Sequence, residues 1–285
     1  MATTDMDTRE RDVARKVRGQ ATSDGAGVRM TRIMGTPRLD HFDPFLLLDE
    51  FRSDDPNDYI AGFPDHPHRG FETVTYMLAG RMKHGDNQGN TGLLGPGSVQ
   101  WMTAGRGIVH SEFPQQEEGL MWGFQLWVNL PASDKLTAPR YQDIQGDQIP
   151  DAELGEGVSA RIIAGELGGV AGPVTGVITE PVYYDFTLAP QAAYEIPLPP
   201  GHNVFLYPYQ GDVKVGPGSR LVERGELALL TQGSRLHVAA ADAEVRFIVV
   251  GGQPLNEPIA RYGPFVMNTQ EEIHQAFEDF RAGRL

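Results

Sequence analysis

The stretch His66-Pro-His-Arg-Gly-Phe-Glu-Thr-Val-Thr-Tyr-Met-Leu-Ala-Gly80 joins two histidines to a run of strand-forming residues that closes on a glycine. β-Branched and aromatic residues favour a β-strand, and the closing glycine marks a turn. The end of this stretch has a counterpart further along the chain. Tyr76 and Gly80 recur as Tyr207 and Gly211, 131 residues later.

A second set of residues recurs in the same order at a similar distance. Gly97, Thr103 and Gly105 recur 128 residues later as Gly225, Thr231 and Gly233. Matching order and similar offsets indicate a duplicated unit. Strand-like runs bounded by turn signals fill both copies, at residues 73–78, 119–130, 182–188, 204–209 and 245–250.

These patterns predict an all-β chain of two tandem antiparallel β-barrels of the jelly-roll type, with a single large sandwich as the alternative. We expect the first barrel at residues 1–142 and the second at 158–285. Residues 143–157, acidic and containing Gly and Pro, are the expected linker. Thr269 and Glu272 form a capping-box pattern before apolar residues at helical spacing, which predicts a short C-terminal helix at about 270–282.

Composition excludes several kinds of site and partner. The 285-residue chain has no cysteine, which excludes disulfides, iron–sulfur clusters and thiolate zinc sites. The formal charge of −14 argues against direct binding to nucleic acid or anionic lipid. No apolar run reaches the roughly 20 residues of a membrane span, and the first residues lack the apolar core of a signal peptide. We therefore expect a cytoplasmic protein.

Two pairs of residues at i, i+2 spacing suggest a metal site. His66 and His68 form the first pair, and His110 and Glu112 form the second. Because side chains alternate faces along a strand, each pair shares one face, and neighbouring strands could bring both pairs to one ion. Three imidazoles and a carboxylate suit iron(II), manganese, cobalt, nickel or copper. Octahedral geometry would leave two positions for water, dioxygen or a substrate.

These residues also have alternative roles. An isolated His-x-His motif is more often a pair of surface or hydrogen-bonded histidines, and the second pair is what favours a metal site. Glu72 also falls in phase with the two histidines, as a ligand or as an acceptor that orients an imidazole. The other histidines lack a second ligand at suitable spacing and are expected at the surface or hydrogen-bonded in the core: His41, His84, His202, His237 and His274.

The second copy supplies an internal comparison. The two offsets place four residues without a suitable side-chain donor opposite His66, His68, His110 and Glu112, namely Pro197, Pro199, Val238 and Ala240. The sequence therefore predicts that the second barrel binds no metal.

The chain contains four long motifs: Asp43-Pro-Phe-Leu-Leu-Leu-Asp-Glu-Phe51, His66-Pro-His-Arg-Gly-Phe-Glu-Thr-Val74, Gln100-Trp-Met-Thr-Ala-Gly-Arg-Gly-Ile-Val-His-Ser-Glu112 and Tyr262-Gly-Pro-Phe-Val-Met-Asn-Thr269. These motifs resemble those of the pirin family of the cupin superfamily. The resemblance implies a bicupin whose first barrel holds a metal, usually iron, through His66, His68, His110 and Glu112. General cupins often use a glutamate of the first motif, here Glu72, and carry Pro-x-Gly before the last histidine. This chain has Gly105-Arg-Gly107 there, which favours the pirin set.

The resemblance implies two kinds of function and leaves both open. One is an iron(II)-dependent quercetin 2,3-dioxygenase, in which a small aromatic substrate reacts with dioxygen. For this function, we expect Glu112 to be both a metal ligand and the proton acceptor. The other is a non-catalytic, redox-responsive protein that binds and regulates a transcription factor or a metabolic enzyme. Aromatic residues near the motifs are candidates for the substrate pocket, although core packing is the commoner role: Phe63, Trp101, Trp122 and Trp127.

Overall fold

The computed structural model describes residues 9–285, so residues 1–8 of the expected first barrel lie outside the described chain. Its packing forms two compact units. The first unit comprises Gln20–Gln148 and Leu255–Leu285, and the second comprises residues 9–19 and Ile149–Pro254. Nearly all regular structure is β-strand, which confirms the predicted all-β class.

The elements are numbered along the chain. The strands of its first half are β1 (Val13–Arg18), β2 (Gln20–Asp24), β3 (Val28–Met34), β4 (Phe45–Ser53), β5 (Phe63–His68), β6 (Phe71–Ala79), β7 (Met82–Asp86), β8 (Thr91–Leu94), β9 (Val99–Thr103), β10 (Ile108–Pro114), β11 (Met121–Asn129) and β12 (Arg140–Ile144). Those of the remainder are β13 (Asp151–Gly155), β14 (Val158–Ala164), β15 (Glu166–Leu167), β16 (Val170–Ala171), β17 (Val182–Leu188), β18 (Ala193–Pro197), β19 (Asn203–Gln210), β20 (Val213–Val215), β21 (Arg220–Val222), β22 (Glu226–Leu230), β23 (Arg235–Ala240), β24 (Val245–Gly252), β25 (Ala260–Tyr262) and β26 (Phe265–Met267). The helices are α1 (Gln270–Arg281) and two short 3-10 turns at Pro56–Asp58 and Gly146–Gln148.

The first unit has two antiparallel layers. Its larger sheet has the strand order β12-β9-β6-β11-β4-β3-β2, and its smaller sheet has the order β5-β10-β7-β8. Phe51 and Met77 of the larger sheet share one apolar cluster with Met82 and Leu94 of the smaller sheet. The sheets therefore pack face to face, as the layers of a jelly roll do.

The second unit repeats this topology strand by strand. Its larger sheet has the order β1-β22-β19-β24-β17-β14-β13, and its smaller sheet has the order β18-β23-β20-β21. The sequence repeat matches β6 with β19 and β10 with β23, which occupy the same positions in the two orders. Phe186 and Phe247 of the larger sheet and Ile196 and Leu236 of the smaller sheet lie in one buried apolar core. The structure thus shows the duplication that the sequence predicts.

The N-terminal strand belongs to the second unit. The sequence instead predicts it in the first barrel, at residues 1–142. β1 pairs with β22 and takes the position that β12 occupies in the first unit. Just before β1, the buried side chain of Arg11 donates hydrogen bonds to the carbonyl oxygens of Pro199, His202 and Thr231. The expected linker, 143–157, is also largely structured, since it contains the end of β12 and all of β13.

The C-terminal helix has the bounds that the sequence predicts but packs in the first unit. Its capping box is present, because the Glu272 amide donates to Thr269 Oγ1 at 3.2 Å and the Thr269 amide donates to the Glu272 carboxylate at 2.9 Å. Ile273 and Ala276 are buried against Phe265 of β26. Within residues 9–285, no helix is long and apolar enough to cross a membrane.

A buried lysine ties this C-terminal segment to the turn that follows the histidine pair. Lys135 Nζ donates to the carbonyl oxygens of Gly70 at 2.9 Å and Val266 at 3.1 Å, and to Asn129 Oδ1 at 2.8 Å. Burial lowers the pKa of Lys135 to about 8, so the group is mostly protonated at neutral pH. An ammonium with three acceptors fills its hydrogen-bonding capacity.

We predict that Lys135→Met destabilises the protein by about 3 kcal/mol, because it leaves buried oxygen acceptors without a donor. The midpoint of chemical denaturation would measure the change. Lys16→Met is the matched control, because Lys16 also donates to a carbonyl and a carboxylate but is exposed, and such pairs contribute about 0–1 kcal/mol. Equal effects of the two substitutions would show that the buried hydrogen bonds of Lys135 do not stabilise the protein as proposed.

Candidate metal centre

Strand pairing brings the three predicted histidine ligands together. β5 and β10 are antiparallel, with His66 directly opposite His110 and His68 opposite Ile108. Because directly opposed residues and i, i+2 residues share a face, the three imidazoles project from one side of the smaller sheet. One ring nitrogen from each histidine lies within 4.8 Å of the other two, which makes them a candidate metal-binding group.

The hydrogen bonds of these rings leave nitrogen lone pairs for an ion. His66 Nδ1 lies 2.8 Å from the Pro64 carbonyl oxygen and must donate to it, so His66 Nε2 keeps its lone pair. His68 Nδ1 and His110 Nε2 are buried without any hydrogen-bond partner. Unpartnered buried nitrogens are unfavourable, and a metal ion would satisfy them. The residues present therefore fit a divalent metal.

The electrostatics of the cluster favour neutral imidazoles. Burial holds the pKa of His68 well below its usual range, and the neighbouring His66 lowers it further. Burial has the same effect on the pKa of His110, with smaller contributions from His68, His66 and His84. Neutral imidazole is the form that binds metal ions.

Glu112 lies beside the three histidines rather than within their tight cluster. It is buried on β10, two residues after His110, and lines the same cavity as His66 and His68. Thr75 Oγ1 of the opposite sheet lies 3.1 Å from Glu112 Oε1 and 2.6 Å from Gln125 Oε1. The carboxylate is thus held at the cavity wall by a residue of the facing layer.

Glu72 does not share the face of the histidines, contrary to the phase argument from sequence. Gly70, at φ +87°, turns the chain between β5 and β6, and the two strands belong to different sheets. Glu72 lies opposite Thr103 of β9 and accepts a 2.6 Å hydrogen bond from its hydroxyl, on the face of β6 away from Thr75 and the cavity. Burial raises the pKa of Glu72. The alternation of faces does not continue across the turn.

His84 is the neighbour of the cluster that sequence spacing misses. β7 pairs with β10 so that His84 lies opposite Glu112. His84 is buried, and its Nδ1 lies 3.4 Å from His110 Nδ1, on the side of the ring away from the unpartnered Nε2. This is the core position expected for an isolated histidine, but it also orients a candidate ligand. Only the long-range pairing of β7 with β10 reveals it.

Three of the candidate ligands, His66, His68 and Glu112, line a cavity of about 430 Å³ within the first unit. Of the four aromatic residues considered from sequence, Phe63 and Trp127 line it, whereas Trp101 and Trp122 do not. Trp127 meets the His68 ring edge-on at 5.3 Å. The remaining lining residues come from both sheets, from β25 and from the turns that follow β2 and β25. They are Asp24, Gly25, Met30, Arg32, Leu47, Asp49, Phe51, Thr75, Met82, Gln125, Arg261, Gly263 and Pro264.

Comparison with known proteins identifies the family. The sequence profile of pirin matches residues 27–128, and the profile of the pirin C-terminal cupin domain matches residues 183–285. The chain belongs to the pirin family. A Pseudomonas aeruginosa protein, named as a candidate quercetin 2,3-dioxygenase, is 51% identical over 284 residues, which cover 98% of this chain and 99% of that protein. A pirin-like protein of Caulobacter vibrioides is 49% identical over 275 residues, covering 96% and 99%.

Solved structures agree with the pirin assignment. The crystal structure of a quercetin 2,3-dioxygenase from Acinetobacter baumannii superposes with a TM-score of 0.89 at 35% identity, covering 97% of this chain and 98% of that one. The two-barrel cupin fold expected from the sequence is therefore confirmed.

In the part of the second cupin barrel that the structure describes, no residues correspond to the histidine cluster. β18 pairs with β23 so that Tyr194 lies opposite Val238, and Ile196 lies opposite Leu236. The offset of 128 thus holds for both strands, and Tyr194 and Ile196, rather than Pro197 and Pro199, correspond to His66 and His68. The difference arises because the loop between β18 and β19 is three residues longer than its equivalent. None of the corresponding residues carries an imidazole or a carboxylate.

We predict that replacing His66, His68 or His110 with Ala lowers the affinity for a divalent metal at least about tenfold, because each change removes an imidazole from the candidate group. Elemental analysis after dialysis against a chelator would measure retained metal. His274→Ala, on the exposed face of α1, is the matched control and should behave like the unmodified protein. Full retention of metal by one of the three variants would exclude that histidine as a ligand.

A second prediction concerns the metal content of the whole chain. The full-length protein should take up one equivalent of iron(II), manganese(II) or nickel(II) in a calorimetric titration, and a variant with all three histidines changed to Ala should take up none tightly. The corresponding side chains of the second barrel are apolar or phenolic, so these positions offer no replacement ligands. Tight, stoichiometric uptake by the triple variant would place a site outside the first barrel.

Proposed function

We propose that the protein is a metal-dependent dioxygenase that cleaves quercetin-like flavonols, or related aromatic enols, with dioxygen. The observation that carries this proposal is the cavity of the first barrel, whose apolar and aromatic walls lead to the imidazoles of His66 and His68. These two rings form one cluster with the buried His110. Its volume of about 430 Å³ falls in the range of small-molecule sites. The names of the Pseudomonas relative and the Acinetobacter structure support the same reaction.

Iron(II) is the ion that we propose for the site, held by His66, His68, His110 and Glu112. Nitrogen and oxygen donors also suit manganese, cobalt, nickel and copper, so the donor set alone does not select iron. When bound, the ion supplies Lewis acidity that lowers the pKa of a substrate hydroxyl group. Elemental analysis of protein purified without added metal, with electron paramagnetic resonance before and after oxidation, would identify the ion and its redox activity.

Glu112 is the residue that we propose as the acceptor of the substrate's hydroxyl proton. A general base must lie within hydrogen-bond reach of the proton that it accepts, and Glu112 is the glutamate on the cavity wall. By contrast, the Glu72 carboxylate lies on the other face of its sheet, against Thr103.

The hydrogen bond that Thr75 donates can change with the protonation state of Glu112. The Thr75 hydroxyl has one proton but lies within hydrogen-bond distance of both Glu112 Oε1 and Gln125 Oε1. It can therefore donate to Glu112 when that group is ionised and to Gln125 when Glu112 carries a proton. This exchange needs only rotation of the hydroxyl, so Thr75 keeps a hydrogen bond to one of the two oxygens whether or not Glu112 carries a proton.

The walls of the cavity favour a flat aromatic ligand. Phe63, Met82 and Trp127 present apolar surface around the polar end formed by the histidines, Glu112 and Thr75. Such surface excludes water and orients a ring by packing, while a few polar groups fix its direction. A flavonol has an aromatic framework that suits the apolar walls and an enolic hydroxyl group that suits the polar end.

Incubating the iron-loaded protein with quercetin in air tests the proposed reaction directly. We expect loss of flavonol absorbance that requires both iron and dioxygen. Absence of turnover in the iron-loaded protein would contradict the dioxygenase and leave a non-catalytic binding protein as the remaining function.

We predict that Glu112→Gln lowers kcat at least about 100-fold while metal content falls much less, because the amide can still offer an oxygen but cannot accept a proton. Glu72→Gln is the matched control, since it changes a buried glutamate of the same barrel that lies outside the cavity. Steady-state rates and metal content would be measured for both. A larger loss of activity from Glu72→Gln would reverse the two assignments.

A further inference from the structure

The cavity of the first barrel contains two arginines whose surroundings differ. Arg32 forms a bidentate pair with Asp49, with Nε 2.9 Å from Oδ1 and Nη2 2.8 Å from Oδ2. Its Nη2 also lies 2.9 Å from Asp24 Oδ2. Two carboxylates thus neutralise the charge of Arg32, and its Nε and Nη2 donors already bind protein oxygens.

Arg261 has no such carboxylate. It lies on β25 and lines the cavity, and its Nη1 donates to the Leu46 carbonyl oxygen at 3.1 Å. Among residues 9–285, no aspartate or glutamate approaches it within salt-bridge distance. Burial, and then the positive charge of Arg32, lower the pKa of Arg261, whereas Asp40 and Asp49 have the opposite but smaller effect. The cavity wall therefore carries the positive charge of Arg261, which no carboxylate neutralises at salt-bridge distance among the described residues.

Trp127 sets the position of this cation relative to the metal centre. The Arg261 guanidinium carbon lies 4.8 Å from the centre of the Trp127 ring, and the same ring meets His68 at 5.3 Å. Arg261 and the candidate ligand therefore contact one indole, which lines the cavity between them. A flat ligand that reaches the histidines with one end could reach Arg261 with another.

We propose that Arg261 is a specificity-determining residue, which binds an anionic oxygen of an aromatic substrate at the end remote from the oxygen that binds the metal. The substrate class is then an aromatic enol with a second acidic group, a carboxylate or an acidic phenol. This inference rests on the proposed function for its aromatic enol, but the anionic group follows from Arg261 alone. Arginine suits the role, because its planar fork of donors binds such oxygens with strong, directional hydrogen bonds.

Anaerobic binding tests this proposal separately from catalysis. The iron-loaded full-length protein would be titrated, without dioxygen, with 3-hydroxyflavone and with its 4′-carboxylate, and dissociation constants would follow from quenching of tryptophan fluorescence. We expect the carboxylate to bind at least about tenfold more tightly, the effect of one charged hydrogen bond. Arg261→Gln should abolish this preference, and its retained binding of 3-hydroxyflavone would show that the variant is folded.

Two further variants sharpen the test. Arg261→Lys should keep part of the preference, because it keeps the charge but not the planar fork. Arg52→Gln is the matched control, since Arg52 also stacks on a tryptophan, at 4.2 Å from the Trp122 ring, but is exposed and lies outside the cavity. It should keep the full preference.

The outcomes distinguish this inference from the proposed reaction. Equal binding of the two flavones by the unmodified protein, or a preference that survives Arg261→Gln, would overturn the role of Arg261 whatever the turnover. A preference that disappears in Arg261→Gln supports that role, even if the protein fails to turn over flavonols in air. Failure of both flavones to bind would overturn both the inference and the flavonol part of the proposed function.

Discussion

His66 lies directly opposite His110 in the pairing of β5 with β10, and this register is the constraint on which the candidate metal centre depends. A slip of one residue would turn the imidazoles of one strand to the opposite face. Contacts just beyond one end of the pair, next to His68 and Ile108, hold the register. The Gly70 amide donates to the Gly105 carbonyl at 2.8 Å, and Arg69 joins the Arg106 carbonyl to Asp279 of the C-terminal helix. The distant end of the chain thereby stabilises the strands that carry the ligands.

The two barrels show that one topology supports different chemistry. Where the first barrel places imidazoles on its smaller sheet, the second places Tyr194, Ile196 and Val238, and its core between the sheets is apolar. A packed apolar core stabilises a barrel by burying surface, whereas buried polar groups need partners. In the first barrel, those partners are Thr75 for Glu112, His84 for His110 and, in our account, a metal ion for the remaining nitrogens. Function therefore resides in the side chains and not in the fold.

Sequence predicts the parts of this site that depend on local spacing. The i, i+2 pairs identify His66, His68 and His110 as candidate ligands. The capping box predicts where the C-terminal helix begins, and the apolar spacing after it predicts the helix itself. The same reasoning fails for Glu72, because the turn at Gly70 moves it to another sheet. It also misses the contributions of His84 and Arg261, since these depend on which strands pair over long distances and on the C-terminal segment packing in the first unit. The repeat predicts topology but not the three-residue loop insertion that shifts the matching positions in β18.

A crystal structure of the metal-loaded protein, with anomalous diffraction collected at the absorption edge of the bound ion, tests the central claim most directly. We expect one anomalous peak per chain, in the first barrel, within roughly 2.0–2.2 Å of a nitrogen of each of His66, His68 and His110 and of a Glu112 oxygen. The second barrel should show no peak. A peak bound by Glu72, or one coordinated without the three histidines, would contradict the account.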